Sequence, residues 1–186
     1  MTEALRSRYS SVAIGFHWVI GLMMIGTALG GLLHENFGKE MEAPLLGLHK
    51  ASGITILVLS LARLAWRLGH RPPPLSASLK RWEIGLAHAT HWTFYLLMLV
   101  LPLSGWLMVS AGGRKWPIEW FGLFQVPFLP VAESKALSGA MHETHEILGF
   151  LVLGMIALHI AAAVKHHLID RDNTVERMLP WLRSRG

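Results

Sequence analysis

The sequence predicts an all-α integral membrane protein, built as a four-helix bundle. Two observations predict this fold class: the composition is unusually apolar, and the apolar residues fall into four long runs. Of the 186 residues, 52% are hydrophobic and 16% are charged, with a mean hydropathy of +0.41. A soluble protein of this size needs more polar surface, whereas about 20 apolar residues cross one bilayer as a helix. We therefore expect a single membrane domain over residues 1–186, without a soluble catalytic domain.

The four apolar runs give the predicted helices in chain order. The runs are Val12–Leu33, Leu45–Leu68, Ile84–Val109 and Ile147–Leu168, and they predict helices at about 12–33, 45–68, 84–109 and 142–168. Pro44 lies where the second helix is expected to begin. The first run is too long for the apolar region of a cleaved signal peptide and contains a histidine, so we interpret it as a retained helix.

The third connection, residues 111–141, is predicted to be an external loop in the headgroup layer. It alternates aromatic residues with prolines, which is typical of a segment at a membrane interface: Trp116, Trp120, Phe121, Phe124 and Phe128 with Pro117, Pro127 and Pro130. The simplest interpretation of this loop is an interfacial cover without chemistry.

The basic residues predict the orientation. Of 17 Lys and Arg, 12 lie on the side of the termini and the second loop: Arg6, Arg8, Arg63, Arg67, Arg71, Lys80, Arg81, Lys165, Arg171, Arg177, Arg183 and Arg185. The positive-inside rule then places both termini and the second loop in the cytoplasm, and the first and third loops outside. This bias also accounts for the net charge of +5 without a nucleic-acid partner. Lys50, Arg63, Arg67 and Lys165 either bind propionate groups of a cofactor or extend to lipid phosphate.

Four of the 11 histidines lie inside the predicted spans, where ionisable side chains are costly and usually face the bundle interior. His145 and His159 are 14 residues apart, about 40° from four whole turns, so they share a helix face with roughly 21 Å between them. By depth, His17 corresponds to His159 near the cytoplasmic face, and His49 corresponds to His145 near the external face. The pattern predicts two histidine pairs, one in each leaflet.

Two imidazoles facing each other across a bundle are typical ligands of haem b. Zinc usually recruits further ligands, and no carboxylate or thiolate is available at these depths. The absence of cysteine excludes covalently attached c-type haem and iron-sulfur clusters. Gly21, Gly53 and Gly149 each follow a paired histidine by four residues, which leaves room for a flat macrocycle, although small residues also serve helix packing. The sequence therefore predicts two haems b inside the bundle, with each iron held by one pair.

The histidines at the helix ends have two open interpretations. His88 and His91 have either a structural role or a contact with quinone or propionate. His166 and His167 end the fourth helix, where they either complement the helix dipole or contribute to a quinone site.

Several stretches together resemble the bacterial cytochrome b561 family from about Tyr9 to Pro180. They are Phe16-His-Trp, Leu45-Leu-Gly-Leu-His-Lys, Arg63-Leu-Ala-Trp-Arg, Gly85-Leu-Ala-His, His145-Glu and Leu158-His-Ile-Ala-Ala-Ala-Val-Lys-His-His. The resemblance implies haem pairs His17 with His159 on the cytoplasmic side and His49 with His145 outside. His142 departs from the family pattern and creates a local ambiguity, which the helical spacing resolves in favour of His145.

The resemblance also implies an activity, the oxidation of superoxide at the external haem with electrons passed inward to ubiquinone. His166 corresponds to the quinone end, and Arg114 and Lys115 of the external loop are candidates for attracting superoxide. The alternative is an electron-relay subunit that connects the quinone pool to an external partner protein. A metal or proton transporter is disfavoured because the spans contain no buried carboxylate, as Glu83 and Glu146 lie at helix boundaries.

Overall fold

Four long antiparallel helices form the body of the protein. The computed structural model describes residues 9–76, 78–113 and 117–182. The helices are α1 (Ser11–Leu33), α2 (Lys39–Gly69), α3 (Arg81–Ala111) and α4 (Lys135–Lys165), with a short 3₁₀ turn at His34–Phe37. All four are long and apolar enough to cross a membrane, which confirms the predicted all-α membrane bundle. Consecutive helices pack side by side, and α1 also contacts α4, although this is the least closely packed of the neighbouring helix pairs.

We name the two ends of the bundle by what lies there. The "termini end" holds the start of α1, the α2–α3 connection and the residues after α4. The "hairpin end" holds the α1–α2 connection and a small two-stranded sheet between α3 and α4, formed by β1 (Ile118–Trp120) and β2 (Phe124–Val126).

Helix α2 begins at Lys39 rather than at about residue 45, so the expected boundary at Pro44 is wrong. Gly38 turns the chain with φ +78°, a conformation that favours glycine. Glu40 and Glu42 in the first turn favour the helix amino terminus. Pro44 then lies inside the helix, where its missing N–H removes one ladder bond close to an exposed end.

Helix α4 begins at Lys135 rather than at about residue 142. The Ser134 hydroxyl caps it by accepting a hydrogen bond from the Leu137 amide at 3.2 Å, and the Ser134 amide donates to the Ala111 carbonyl. Residues 135–141 include Lys135, Ser138 and Gly139 and are less apolar than the run from Ile147, so the apolar run alone does not mark them. At its other end the helix changes to a π-helical turn at His166–Asp170, and Arg171 ends it with φ +51°.

The hairpin is folded against the helices. Glu119 pairs with Gln125 in an antiparallel register, and Phe121 and Gly122 have positive φ in the turn. The Trp120 Nε1–H donates to Thr55 Oγ1 at 3.0 Å, six residues beyond His49 along α2. The sequence pattern predicts a segment in the headgroup layer; the structure shows that part of this segment is a short sheet attached to α2.

The apolar core occupies the middle of the bundle. Its buried residues come from all four helices: Ile20, Met24, Ile56, Tyr95, Leu97, Met98 and Val152. Val152 lies seven residues from both His145 and His159, so the core separates the two ends at which the histidines lie.

Candidate haem sites

At the hairpin end, His49 of α2 and His145 of α4 face each other. Their ring centroids are 5.9 Å apart and the ring planes make an angle of 78°. Both side chains are half-buried. His142, the residue that made the sequence ambiguous, is exposed. The structure therefore brings together the two histidines predicted as the external pair.

Each of these two rings is held by the helix that precedes its own. His49 Nδ1 lies 2.9 Å from the Thr27 carbonyl oxygen, and a Cβ placed on Gly31, one turn later in α1, would lie 2.7 Å from the His49 ring. His145 Nδ1 lies 3.0 Å from the Leu101 carbonyl oxygen, and a Cβ on Gly105 of α3 would lie 2.9 Å from that ring. The same local arrangement thus positions both histidines: a backbone carbonyl beside Nδ1 and, four residues later, a glycine against the ring.

These hydrogen bonds fix the tautomer. A carbonyl oxygen only accepts, so Nδ1 of each ring must carry the hydrogen and donate it. The Ser104 hydroxyl also lies 3.1 Å from His145 Nδ1, while it donates its own proton to the Leu101 carbonyl. Nε2 of each ring then keeps its lone pair, which is the state a metal requires.

At the termini end, His17 of α1 and His159 of α4 form the second pair. Their ring centroids are 6.1 Å apart, and the Phe94 ring lies edge-on to His159 at 5.6 Å. Among the described residues, no hydrogen bond reaches the ring nitrogens of His17 or His159. Of the neighbouring helix pairs, α1 and α4 pack least closely, which leaves space between them.

His91 of α3 is a third histidine at this end. Its ring centroid lies 6.3 Å from that of His159, almost as close as His17. The sequence left its role open, because only helix pairing reveals which neighbours it has. Since α3 packs closely along α4, the wider space lies between His159 and His17.

Both pairs have a geometry that fits a metal between them. With metal–nitrogen bonds of about 2 Å, an ion between two imidazoles holds the ring centroids roughly 6 Å apart. A Cβ added at Gly21, Gly53 or Gly149 would meet no protein atom within 4 Å, so the space predicted beside the histidines is open. The donor set, two neutral imidazoles and no cysteine, fits haem b.

The cations predicted near the sites have defined surroundings. The Arg63 guanidinium lies 5.4 Å above the Tyr95 ring, and that of Arg67 lies 5.3 Å from the same ring and 5.6 Å from Trp92. Lys50 is half-buried beside His49. The superoxide candidates Arg114 and Lys115 lie outside the described residues.

His166 belongs to a charged network beyond the end of α4. Its Nδ1 lies 2.8 Å from Asp172 Oδ2 and 3.1 Å from Asp170 Oδ2. The Lys165 ammonium contacts the same Asp170 oxygen at 2.5 Å and Glu83 at 3.2 Å. Burial works against ionisation of Asp172, but hydrogen bonding with Thr174 and His166 outweighs it and lowers the pKa of this carboxyl. The network links α3, α4 and the chain that follows.

Imidazoles paired at both ends of a membrane helical bundle, in a chain without cysteine, are features of the b-type membrane cytochromes. The chain matches the profile of the prokaryotic cytochrome b561 family over residues 8–181 and belongs to that family. It is therefore an integral membrane protein of electron transfer, and the family implies haem b.

Three relatives are similar over nearly their full lengths. The chain is 32% identical to the "Probable superoxide oxidase CybB" of Yersinia pestis, which covers 97% of this chain and 100% of the relative. It is 33% identical to "Cytochrome b561 homolog 2" of Escherichia coli, over 92% of this chain and 91% of the relative. It is 32% identical to "Cytochrome b561 homolog 1" of the same bacterium, over 94% and 98%.

Proposed function

We propose that the chain is a dihaem b cytochrome of the bacterial inner membrane that oxidises superoxide on the external side and reduces ubiquinone. The termini end faces the cytoplasm in this proposal, because most of the basic residues lie there. The observation that carries the proposal is the pairing of four histidines at centroid separations of 5.9 and 6.1 Å. The name of the Yersinia pestis relative supports superoxide as the donor.

The proposed axial ligands are His49 with His145 on the external side and His17 with His159 on the cytoplasmic side. Haem b bound by two histidines supplies one-electron exchange. The chain itself orients the ligands: Thr27 and Leu101 hold the external imidazoles in the metal-binding tautomer through their carbonyl groups. The apolar core between the pairs keeps water away from the interior.

The basic residues have separate proposed roles. Arg63 and Arg67 bind propionates at the cytoplasmic site, because both guanidinium groups are held in place by aromatic rings of α3. Lys50 does so at the external site, next to His49. Arg114 and Lys115 supply positive potential in the external loop, which raises the encounter rate with an anion.

At the cytoplasmic end, His166 is the proposed quinone residue. It follows His159 by seven residues, within about 20° of two helical turns, so it lies on the same side of α4. Its Nδ1 donates to Asp172 at 2.8 Å, so Nε2 is the nitrogen that exchanges a proton with a bound quinone. The overall reaction consumes two superoxide ions, one ubiquinone and two protons, and forms two dioxygen molecules and one ubiquinol.

The test is a direct measurement of quinol formation. Purified protein is given a steady source of superoxide and a short-chain ubiquinone, and we expect quinol to form in a 1:2 ratio to superoxide consumed. Addition of superoxide dismutase should abolish it. If the protein binds two haems b but forms no quinol, the electron-relay function replaces the oxidase function.

The ligand assignment is tested by counting haems. His159→Ala should leave one haem b per chain, because the external pair is intact, and so should His49→Ala. Exposed His142→Ala is the matched control and should retain both. A His159→Ala protein that retains two haems, or none, contradicts the proposed pairs.

A further inference from the structure

The chain after α4 crosses from the helix that carries His159 to the helix that carries His17. At the α4 side, the Thr174 amide donates to Asp172, whose carboxylate contacts His166. At the α1 side, the Trp18 Nε1–H donates to the Met178 carbonyl oxygen at 2.9 Å. We call residues 172–182 the C-terminal cap. It spans the termini end of the gap between α1 and α4, the gap that the His17 and His159 rings face.

A buried arginine holds the cap in place. Arg177 is only 6% exposed, and its Nη2 donates to the carbonyl oxygens of Pro73 at 3.2 Å and Pro74 at 2.6 Å. Its guanidinium also lies 5.5 Å above the Tyr9 ring. A charge is retained at such burial only when hydrogen bonds replace its water. Arg177 therefore ties the cap to the α2–α3 connection and to the chain that precedes α1.

The cap is attached at three points and packed along its length. Residues 174–180 are half-buried or buried, although nearly all of this segment lacks regular secondary structure. Trp181 is 73% exposed just beyond, as expected for an aromatic residue in the membrane interface. The segment thus forms a floor between the proposed cytoplasmic haem site and the aqueous phase.

We propose that the C-terminal cap shields the His17/His159 site from water-soluble electron acceptors, so that electrons leave there only to an acceptor that enters from the lipid. This inference rests on the proposed haem at that site. A dissolved ion must approach the cofactor closely to exchange an electron, and a packed segment across the opening prevents that approach. A quinone reaches the site between helices and does not need to pass the cap.

The experiment uses inside-out membrane vesicles, in which the termini end faces the medium under the proposed orientation. The cytochrome is reduced with limiting dithionite and then mixed with ferricyanide, which does not cross membranes, or with decylubiquinone. Re-oxidation is followed in the haem absorption band for the wild type, Arg177→Ala and Trp18→Phe. Arg81→Ala, which removes an exposed arginine at the same end, is the matched control.

We expect Arg177→Ala to accelerate ferricyanide re-oxidation about tenfold, the population change that loss of a charge-assisted hydrogen bond produces. Re-oxidation by decylubiquinone should change less than about twofold. Trp18→Phe keeps an aromatic ring beside His17 but loses the bond to Met178, so it should act in the same direction. Arg81→Ala should not accelerate, because loss of a positive charge alone disfavours an anionic oxidant.

Hydrogen exchange provides a readout that is independent of haem chemistry. Amides of residues 173–180 should exchange faster in Arg177→Ala than in the wild type or Arg81→Ala. Faster exchange with unchanged ferricyanide rates would overturn the shielding role, and unchanged exchange would overturn the role of Arg177 as the attachment. If Arg177→Ala loses its haem, the ferricyanide rate and the hydrogen exchange of Trp18→Phe decide whether the cap shields the site.

If decylubiquinone fails to oxidise the wild type, the proposed quinone reaction is wrong, while the ferricyanide comparison still tests the cap.

Discussion

Gly31 and Gly105 determine how closely a histidine ring of one helix can approach the backbone of the preceding helix. Each lies opposite a histidine of the next helix in the chain, and each follows, by one turn, the residue whose carbonyl accepts the Nδ1 hydrogen. A side chain at either position would occupy the space of the ring. The hydrogen bond and the missing Cβ therefore act together: the first sets the tautomer, and the second permits the approach.

Alanine at Gly31 or Gly105 should disrupt the external haem site. The new Cβ would lie 2.7 Å from the His49 ring or 2.9 Å from the His145 ring, closer than carbon atoms approach, so the ring must move away from its position opposite its partner. We expect the haem content to fall from two towards one per chain, measured by haem extraction and by the reduced-minus-oxidised spectrum.

The control for this experiment is Gly139→Ala, at the hairpin end of α4, where an added Cβ meets nothing within 4 Å. Alanine is favoured over glycine inside a helix, so this variant should keep both haems and its stability. Full haem content in Gly31→Ala would contradict the argument that the close approach seats His49.

The sequence predicts the four paired histidines but not the residues that hold them. Helical spacing places His145 and His159 on one face, because that relation lies within one helix. Gly31, Gly105 and His91 act across helix pairs, and their partners depend on which helices are neighbours. The glycines that the sequence singles out, four residues after a histidine, border open space. The glycines that contact the rings, Gly31 and Gly105, lie on other helices than the histidines they contact.

At the scale of elements, the hairpin and the helix starts are the parts of the fold that apolar patterns do not predict. Long apolar runs predict the helices well, but they miss the polar first turn of α2 and the weakly apolar start of α4, which lie outside these runs. Strands of three residues are also too short for a periodic pattern. What fixes the hairpin is tertiary: Trp120 bonds to Thr55, and the Trp106 Nε1–H donates to the Pro127 carbonyl.

Removal of the Trp120 bond to Thr55 should loosen the hairpin. Trp120→Phe deletes the donor and Thr55→Val deletes the acceptor, and each should lower the free energy of unfolding by about 1 kcal/mol. The double variant should cost clearly less than the sum of the two, because both remove the same bond. Thermal unfolding followed by the haem band measures this. Ser138→Ala, which loses a bond to the Met108 carbonyl away from the hairpin, is the control. If the free-energy cost of the double variant equals the sum of the costs of Trp120→Phe and Thr55→Val, the coupling between the two residues is contradicted.

The C-terminal cap should respond to acid through Asp172. Its pKa lies below the ordinary 3.8, so the ionised carboxylate stabilises the folded segment at neutral pH, and this contribution is lost as the pH falls through the lowered pKa. Asp172→Asn should therefore increase hydrogen exchange in the cap about fivefold at pH 7. The difference from the wild type should disappear well below pH 3.8. A difference that persists in strong acid would exclude the carboxylate as its source.

At the scale of the whole molecule, the bundle keeps two polar sites apart inside an apolar body. The core that includes Ile20, Ile56 and Val152 lies between the histidine pairs, and each end has its own cover, the hairpin at one and the C-terminal cap at the other. The two covers differ in charge. The termini end carries most of the arginines, whereas β1 and β2 contain one acidic residue and no basic one. Because basic residues stay in the cytoplasm, this difference places the hairpin end outside, and electrons in the proposed function pass from there to the termini end.

The orientation can be measured directly because the chain has no cysteine of its own. Leu123→Cys adds a thiol at a hairpin position that is 73% exposed, and Ser78→Cys adds one at an exposed position of the α2–α3 connection. In bacterial spheroplasts, a membrane-impermeant maleimide should label Leu123→Cys and spare Ser78→Cys until detergent is added, since the positive-inside rule holds the arginine-rich end in the cytoplasm. The reverse pattern would place His17 and His159 outside, and superoxide would then have to be oxidised beneath the C-terminal cap, which contradicts the proposed direction of electron flow.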